Sequence, residues 1–372
     1  MPTAIRIAEG DSGLSPRERV RLALQHQETD RVPIAMVCSG VNPPAARALA
    51  RYLDLPDEAA AIAYLTRFLD LHSVNPDYRG PTLGSTSEGA QEDIWGVWRA
   101  PCSYGPGSYA EISHYPLAEV RDIADLDRHR WPSADWWDYS VLPDRIAALN
   151  REREYAVHLA NGNIFESAWY MRGFERMFVD LADSPELAGE IMRRVTDYYI
   201  AFFTRALEAA GDRVDLVFTA DDIAGQRGLL MSREMWEQHL KPHHSRLNQR
   251  LHEFGVKVMY HSDGAVMKAI PGLIDMGVDV LQALQFSAEG MDSVAMKRDF
   301  GDRLCFQGGI SVQTTLPFGT AEQVREEVRA RIRVLARKGG YILGPSHAIQ
   351  AGTPPGNILA MFDEALNCPL SA

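Results

Sequence analysis

Four runs in the last third of the chain are apolar at nearly every position and then stop at a polar or glycine-rich cluster. They are VKVMYHSDG (256–264), VDVLQALQ (278–285), RLCFQGGIS (303–311) and GGYILGPSH (339–347). A strand with one wet face alternates, whereas a run apolar on both faces suits a parallel strand covered by helices. YAVHLANGN (155–163) and VDLVFTADD (214–222) end in the same way, and the charged pair Asp30-Arg31 leads into a short apolar run to Met36 that reads as a first buried strand. The segments between these runs carry helical spacing. Seven parallel strands, with room for an eighth, predict α/β architecture, and their number together with the chain length favours a single TIM-type (β/α)8 barrel over an open sheet.

Helix signals fill the gaps. Ser15-Pro16-Arg17-Glu18 combines a cap, a first-turn proline and a capping-box glutamate, predicting a helix to about Gln27. Residues 43–72 repeat Ala and Leu at helical spacing, and further helices are predicted over 143–151, 173–210, 232–254 and 265–276. Thr320 and Gln323 form a second capping box ahead of the stripe Val324, Val328, Ile332 and Leu335. The stretch 75–140 differs in kind. It is rich in Gly, Pro, Trp and Tyr, and DIWGVWRA and SYAEISHYP suggest hairpins, so it reads as an irregular insertion in an otherwise single domain spanning 1–372. Trp95, Trp98, Trp131, Trp136 and Trp137 within it either floor an apolar pocket or form core.

Composition narrows the function. The 372 residues, 46% of them hydrophobic, can bury a large core. Fifty acidic against 38 basic residues leave a net charge of −12, which opposes nucleic acid and anionic membranes. No window approaches the roughly 20 apolar residues of a membrane span, and the start MPTAIRIAEGDSG lacks the regions of a signal peptide, so a cytoplasmic location is expected. Cys38, Cys102, Cys305 and Cys368 show no CxxC pairing and read as reduced thiols.

In a parallel α/β sheet the carboxyl ends of the strands converge on one face, where distant residues meet. His261, Asp263, Gln285, Gln307 and His347 all lie at such ends. His261 and Asp263 are two apart on an extended segment and share a side. With His347 they make a ligand set suited to a catalytic Zn²⁺ with an open fourth position; Asp263 reads equally well as a helix cap. Asp221 and Asp222 close another strand. Adjacent residues point to opposite faces, so one of them at most enters the site as a proton carrier, and a cap or a pairing with Arg227 is the alternative. Asn161 and Gln226 are candidate substrate contacts alongside Gln285 and Gln307, although Asn161-Gly162 is also a turn signal. Gly308 and Gly309 fit either ligand approach or strand termination. His239, His243 and His244 fall on one helix and read as a solvated face. There is no GxGxxG, P-loop or GxSxG motif.

SPRERVRLALQHQETDRVPIA, KVMYHSDGAVMKAIPGLIDMGVDVLQALQ, QGGISVQ and GGYILGPSHAIQAGTPPGNILAMFDEA, in that order, resemble the uroporphyrinogen decarboxylase superfamily over essentially the whole chain. That superfamily includes haem-pathway decarboxylases and zinc-dependent methyltransferases that move methyl groups between corrinoid carriers and thiols. The resemblance implies a TIM-type barrel with its site at the C-terminal face of the strands. The decarboxylases carry an arginine-rich RQAGRYLPE-like motif after the first strand; here Met36–Pro43 holds no arginine to pair a polycarboxylate, although His347 matches their substrate-contacting LGHG histidine. The methyltransferases have an HxCG motif matching His261, with Cys at the positions of Asp263 and His347. The resemblance therefore implies a methyltransferase-like enzyme, with tentative Zn²⁺ on His261, Asp263 and His347 and Asp221 or Asp222 handling a proton. It would act on a small methoxylated or methylamine substrate with a corrinoid protein as partner, and it admits a homodimer. A metal-free decarboxylase-like lyase using Asp263 and His347 directly, and a non-catalytic binding barrel, are the alternatives.

Overall fold

The computed structural model describes residues 5, 13–38, 40–103 and 108–370; most of the N-terminal stretch read for a leader, and Ser39, lie outside them. Seven parallel strands form the main sheet: β1 (Leu71–Ser73), β2 (Ala156–Asn163), β3 (Leu216–Ala220), β4 (Lys257–His261), β5 (Val280–Ala283), β6 (Cys305–Ile310) and β7 (Tyr341–Pro345). They are hydrogen-bonded in sequence order. Six of the predicted strands are present.

The first differs. Residues 30–36 form no regular strand but a single bridge from Ile34 to Leu343, because Pro33 offers no N–H to continue a ladder. This short segment nevertheless joins both edges of the sheet. Ala35 N–H donates to Leu343 O (2.9 Å), Leu343 N–H to Pro33 O (2.8 Å), and Asp70 N–H to Ile34 O (2.8 Å). The strand absent from the prediction is β1, hidden at the end of the 43–72 stretch, which otherwise splits into helices Pro43–Tyr52 and Glu58–Thr66.

Period-two alternation sorts each strand between two apolar layers. Leu71, Ala156, Leu216, Phe218, Met259, Val280, Cys305 and Ile342 pack with Ala35 on the inner face. Val157, Val217, Val258, Tyr260, Leu281, Phe306 and Leu343 face the helices and join the larger core. Register fixes what lies beside what. His261 pairs with Ala220 and Gln282, and Gln282 with Gln307, so three polar side chains stand in a row on the inner face, one strand apart.

At the opposite, N-terminal ends of the strands, one device recurs. Asp70, Asp215 and Asp279 immediately precede β1, β3 and β5, and each carboxylate accepts a backbone N–H from the preceding strand or segment: Ile34 (2.8 Å), Val157 (3.0 Å) and Val258 (2.8 Å). Each also meets basic side chains. Arg19 and Arg31 pair with Asp70, Arg17 and Arg21 with Asp215, and Lys257 and His252 with Asp279. Asp70 and Asp215, which are buried, and Asp279, which is partly so, are thus satisfied by both hydrogen bonds and charge. Burial raises the pKa of Asp279, but His252, Lys257 and the Val258 N–H outweigh it and hold the group below its ordinary value.

Both predicted capping boxes are present, at Ser15/Glu18 and Thr320/Gln323, and the stripe Val324, Val328, Ile332 and Leu335 is wholly buried. The 173–210 stretch is two helices, Phe174–Asp183 and Pro185–Ala210, preceded by Ile164–Arg172. Gly173, at φ +96°, makes the first break. Within 75–140 an antiparallel sheet of Gln91–Glu92, Trp98–Ser103 and Ser108–His114 forms. Trp95 packs on Tyr198 (ring centroids 5.1 Å) and Trp137 on Phe202 (5.2 Å), seating this region on the long helix. No helix among the described residues is long and apolar enough to cross a membrane.

Candidate functional site

His261 ends β4 with its ring on the inner face, 7% exposed. Its Nδ1 contacts the Gln282 carbonyl oxygen, while the Gln282 amide nitrogen is turned toward Ser346 O at 3.4 Å. An amide oxygen can only accept, so Nδ1 carries the proton and Nε2 is left with a lone pair for a ligand. Nε2 lies 3.6 Å from Asp222 Oδ1. Asp263 Oδ2 is 4.0 Å from His347 Nε2, and the two imidazole centroids are 5.8 Å apart.

Two overlapping groups of metal-capable atoms result, each with all its atoms within 4.8 Å of one another: Cys38, His261 and His347, and Asp222, His261 and Asp263. His261 belongs to both. The donor set fits a divalent transition metal, with imidazoles, carboxylates and one thiol converging at the C-terminal ends of the strands. Burial is the largest influence on Asp263 and on His347. It raises the carboxyl, partly offset by the histidines, and lowers the imidazole, partly offset by Asp263. Both shifts favour the neutral forms.

Asp221 and Asp222 diverge, as alternation requires. Asp222 reaches the cluster and accepts the Asp263 N–H (2.7 Å). Asp221 is fully buried and points away. It accepts the N–H groups of Phe165 and Glu166 (both 2.8 Å) and the Nε2–H of His244 (2.5 Å), closing the N-terminus of helix Ile164–Arg172, which has no side-chain cap of its own. The solvated-face reading of His239, His243 and His244 is corrected here. His244 is 1% exposed and packs on Tyr260, because a buried carboxylate needs a donor and the helix supplies it.

Of the predicted substrate contacts, Gln285 is a strut. It accepts the Gly264 N–H (2.9 Å) and donates to Gln226 Oε1 and Gln313 Oε1 (2.8 Å each). Gln226 is exposed, as is Asn161, which sits at a bulge in β2. Gln307 is fully buried, donates to Ala35 O (3.2 Å) and leaves Oε1 without a partner. Gly308 is tied to packing: a Cβ there would stand 2.4 Å from Ala283 O. Gly264 is more demanding still. It sits at φ +86°, and a Cβ would meet Gly225 O at 2.5 Å and Ala224 O at 2.6 Å. Gly264→Ala should cost more than about 2 kcal/mol, since strain and backbone overlap add; an unchanged denaturation midpoint would contradict this.

Sequence reasoning missed three residues. Cys38 lies in a loop with no second cysteine to flag it. Gln282 stands in the same run as Gln285, and counting by twos along β5 aligns Gln282 with the inner face. Glu166 is buried in the first turn of its helix. It accepts from Tyr170 OH (3.0 Å) and Asn163 Nδ2 (2.5 Å). Burial, then the charges of Asp221 and Asp222, push its carboxyl up to about 8. Arg99 of the antiparallel sheet stacks over Tyr170 (4.8 Å), linking that sheet to the site. Cavities of about 750 and 770 Å³ open instead among Arg19, Arg31 and Arg67 and among Lys297, Arg333 and Arg337, with neither His261 nor His347 in their lining.

No curated protein sequence matches the chain. Among solved structures, a methyltransferase from Methanosarcina mazei superposes with a TM-score of 0.63 at 18% identity, covering 95% of this chain and 98% of that one. Dispersin B covers 92% of this chain and 99% of its own at 9% identity, with a TM-score of only 0.41. The sequence model of the family described as Uroporphyrinogen decarboxylase (URO-D) matches residues 101–367, well over half of the chain, and the chain therefore belongs to the uroporphyrinogen decarboxylase family.

Proposed function

We propose that this chain is a methyltransferase-like enzyme. In this reading it moves a methyl group from a small methylated compound to a corrinoid or thiol acceptor, in a TIM-type barrel whose eighth position is filled by residues 33–35. The observation that carries the reading is the convergence of Cys38, His261 and His347 with Asp222 and Asp263 at the C-terminal strand ends. His261 and His347 would hold a zinc ion with one or more of the acidic or thiol groups beside them. When bound, that ion supplies Lewis acidity for polarising or ionising a heteroatom.

The residues divide the remaining work. Gln282 fixes the tautomer of His261, as an outer partner does at metal sites. Asp222, half-exposed at the mouth, is placed to take up or release a proton. Glu166 keeps its proton at neutral pH and serves as a store for a leaving group that departs as an anion. The short apolar loop Met36–Cys38, without arginine, suits a small donor better than a polyacid.

The test uses zinc-loaded protein with cob(I)alamin and a panel of methoxylated aromatics and methylamines, followed by the spectral change to methylcobalamin. Turnover with at least one donor, lost in His261→Ala, is expected. Metal-free protein with no transfer to cobalamin or to a thiol would sink the reading. The neutral Glu166 specifically favours a second one, a decarboxylase-like lyase that must protonate a carbanion, and carbon dioxide release from small acids without metal would select it.

A further inference from the structure

Resting on the metal reading above, we propose that the thiolate of Cys38 is the third protein ligand, making the centre a Cys38–His261–His347 site, with Asp222 and Asp263 left outside the metal's coordination sphere.

Three independent features support the choice. First, Cys38 Sγ and one nitrogen from each histidine already lie within 4.8 Å of one another; zinc bonds of about 2.0–2.3 Å would draw such atoms to roughly 3.5 Å, a change within reach of side-chain rotation. Second, the loops bearing Cys38 and His347 are tied together immediately beyond these residues. Val41 bridges Ile349, Asn42 N–H donates to Ile349 O and Ile349 N–H to Gly40 O (2.9 Å each), and Asn42 Nδ2 donates to Gln350 Oε1 (2.7 Å). The thiol is thus held against the imidazole by backbone, and it packs beside the inner apolar face with Val37 and Ala160.

Third, the carboxylate nearest His261 is otherwise engaged. Asp222 Oδ1, 3.6 Å from His261 Nε2, already accepts the Asp263 N–H. Between a hard carboxylate pair and a soft sulfur, a borderline-soft ion beside two imidazoles prefers the sulfur. Ligation releases the thiol proton to solvent, and the fourth position remains open for substrate or acceptor.

The experiment substitutes cobalt(II) for zinc in the full chain and records the near-ultraviolet spectrum of the parent, Cys38→Ser and Asp222→Asn. Competition with a chelator gives relative metal affinities. The parent should bind about one cobalt per chain with a thiolate-to-cobalt charge-transfer band. Cys38→Ser should lose the band and bind at least about 100-fold more weakly, since outer-shell losses alone reach that size, while Asp222→Asn keeps the band. Circular dichroism of the metal-free forms establishes that Cys38→Ser is folded; if it is not, the presence or absence of the band in the parent decides. Cobalt bound without the band, or a band that survives Cys38→Ser, overturns the Cys38 assignment and leaves the metal reading standing. A parent that binds no metal overturns both.

Discussion

Glu166→Gln should stabilise the protein, and increasingly so as the pH is raised from about 4.5 to about 8. The parent carboxyl titrates near 4.5 in an unfolded chain but near 8 when folded, because burial and then Asp221 and Asp222 oppose its charge. Below pH 4.5 both states hold the proton and the group makes no difference. Between the two values the folded state binds more protons than the unfolded one, so stability falls with rising pH, by about 1.4 kcal/mol per unit, and then levels off. The accumulated loss is about 4–5 kcal/mol above pH 8, and about 3 kcal/mol at neutrality.

Glutamine has the same shape and no charge to bury. It can keep the bond from Tyr170 OH. Asn163 Oδ1 is buried without a partner as the amide is now oriented, and turning that amide over lets it accept from the new Nε2–H, just as it would from a protonated Glu166. Denaturant midpoints of parent and variant across pH 4.5–9 check this. Parallel curves would show that Glu166 is ionised in the native protein.

Asp221→Ala is expected to act in the opposite sense, with a loss of about 3–5 kcal/mol. Three buried donors, the N–H groups of Phe165 and Glu166 and the imidazole of His244, would lose the acceptor they share at once. His244 is the most exacting of them, because its Nδ1 is already without a partner. Asp221→Asn keeps one acceptor oxygen and should cost less than half as much. Denaturation midpoints, with amide exchange along residues 164–172, separate a melted first turn from general loosening. Because the Asp221 charge is one reason Glu166 holds its proton, the Asp221→Asn and Glu166→Gln effects should not add.

These two residues also mark where sequence reading stops. The strand runs were legible because a covered parallel strand is apolar throughout, and the divergence of Asp221 from Asp222 followed from alternation alone. β1 was not legible: Leu71-His72-Ser73 is three residues long and follows Ala-rich helix, and its strand character comes from pairing with β2. The reverse happened at Val32–Met36, whose composition suits a strand but whose Pro33 limits it to a bridge. In the site, His261, Asp263 and His347 stood out because strand ends converge. Cys38 did not, since its neighbours in space come from β4 and from the loop after β7, and they are brought together by the ties of residues 33–35 to Leu343 and of 40–42 to 349–350. Glu166 was invisible for a related reason: its protonation depends on its burial and on Asp221 and Asp222, far along the chain.

The aspartates before β1, β3 and β5 have a consequence for how this protein could be rebuilt. Each staples two neighbouring segments at the rim opposite His261 and His347, so that rim behaves as a chassis. At the other rim, segments 223–227 and 350–353 could be exchanged for foreign loops without breaking one of those three locks or removing Asp221 or Gly264. β6 and β7 carry no such lock among the described residues, which makes the seam between them the natural place to cut the chain, open the sheet, or join on a half from another protein.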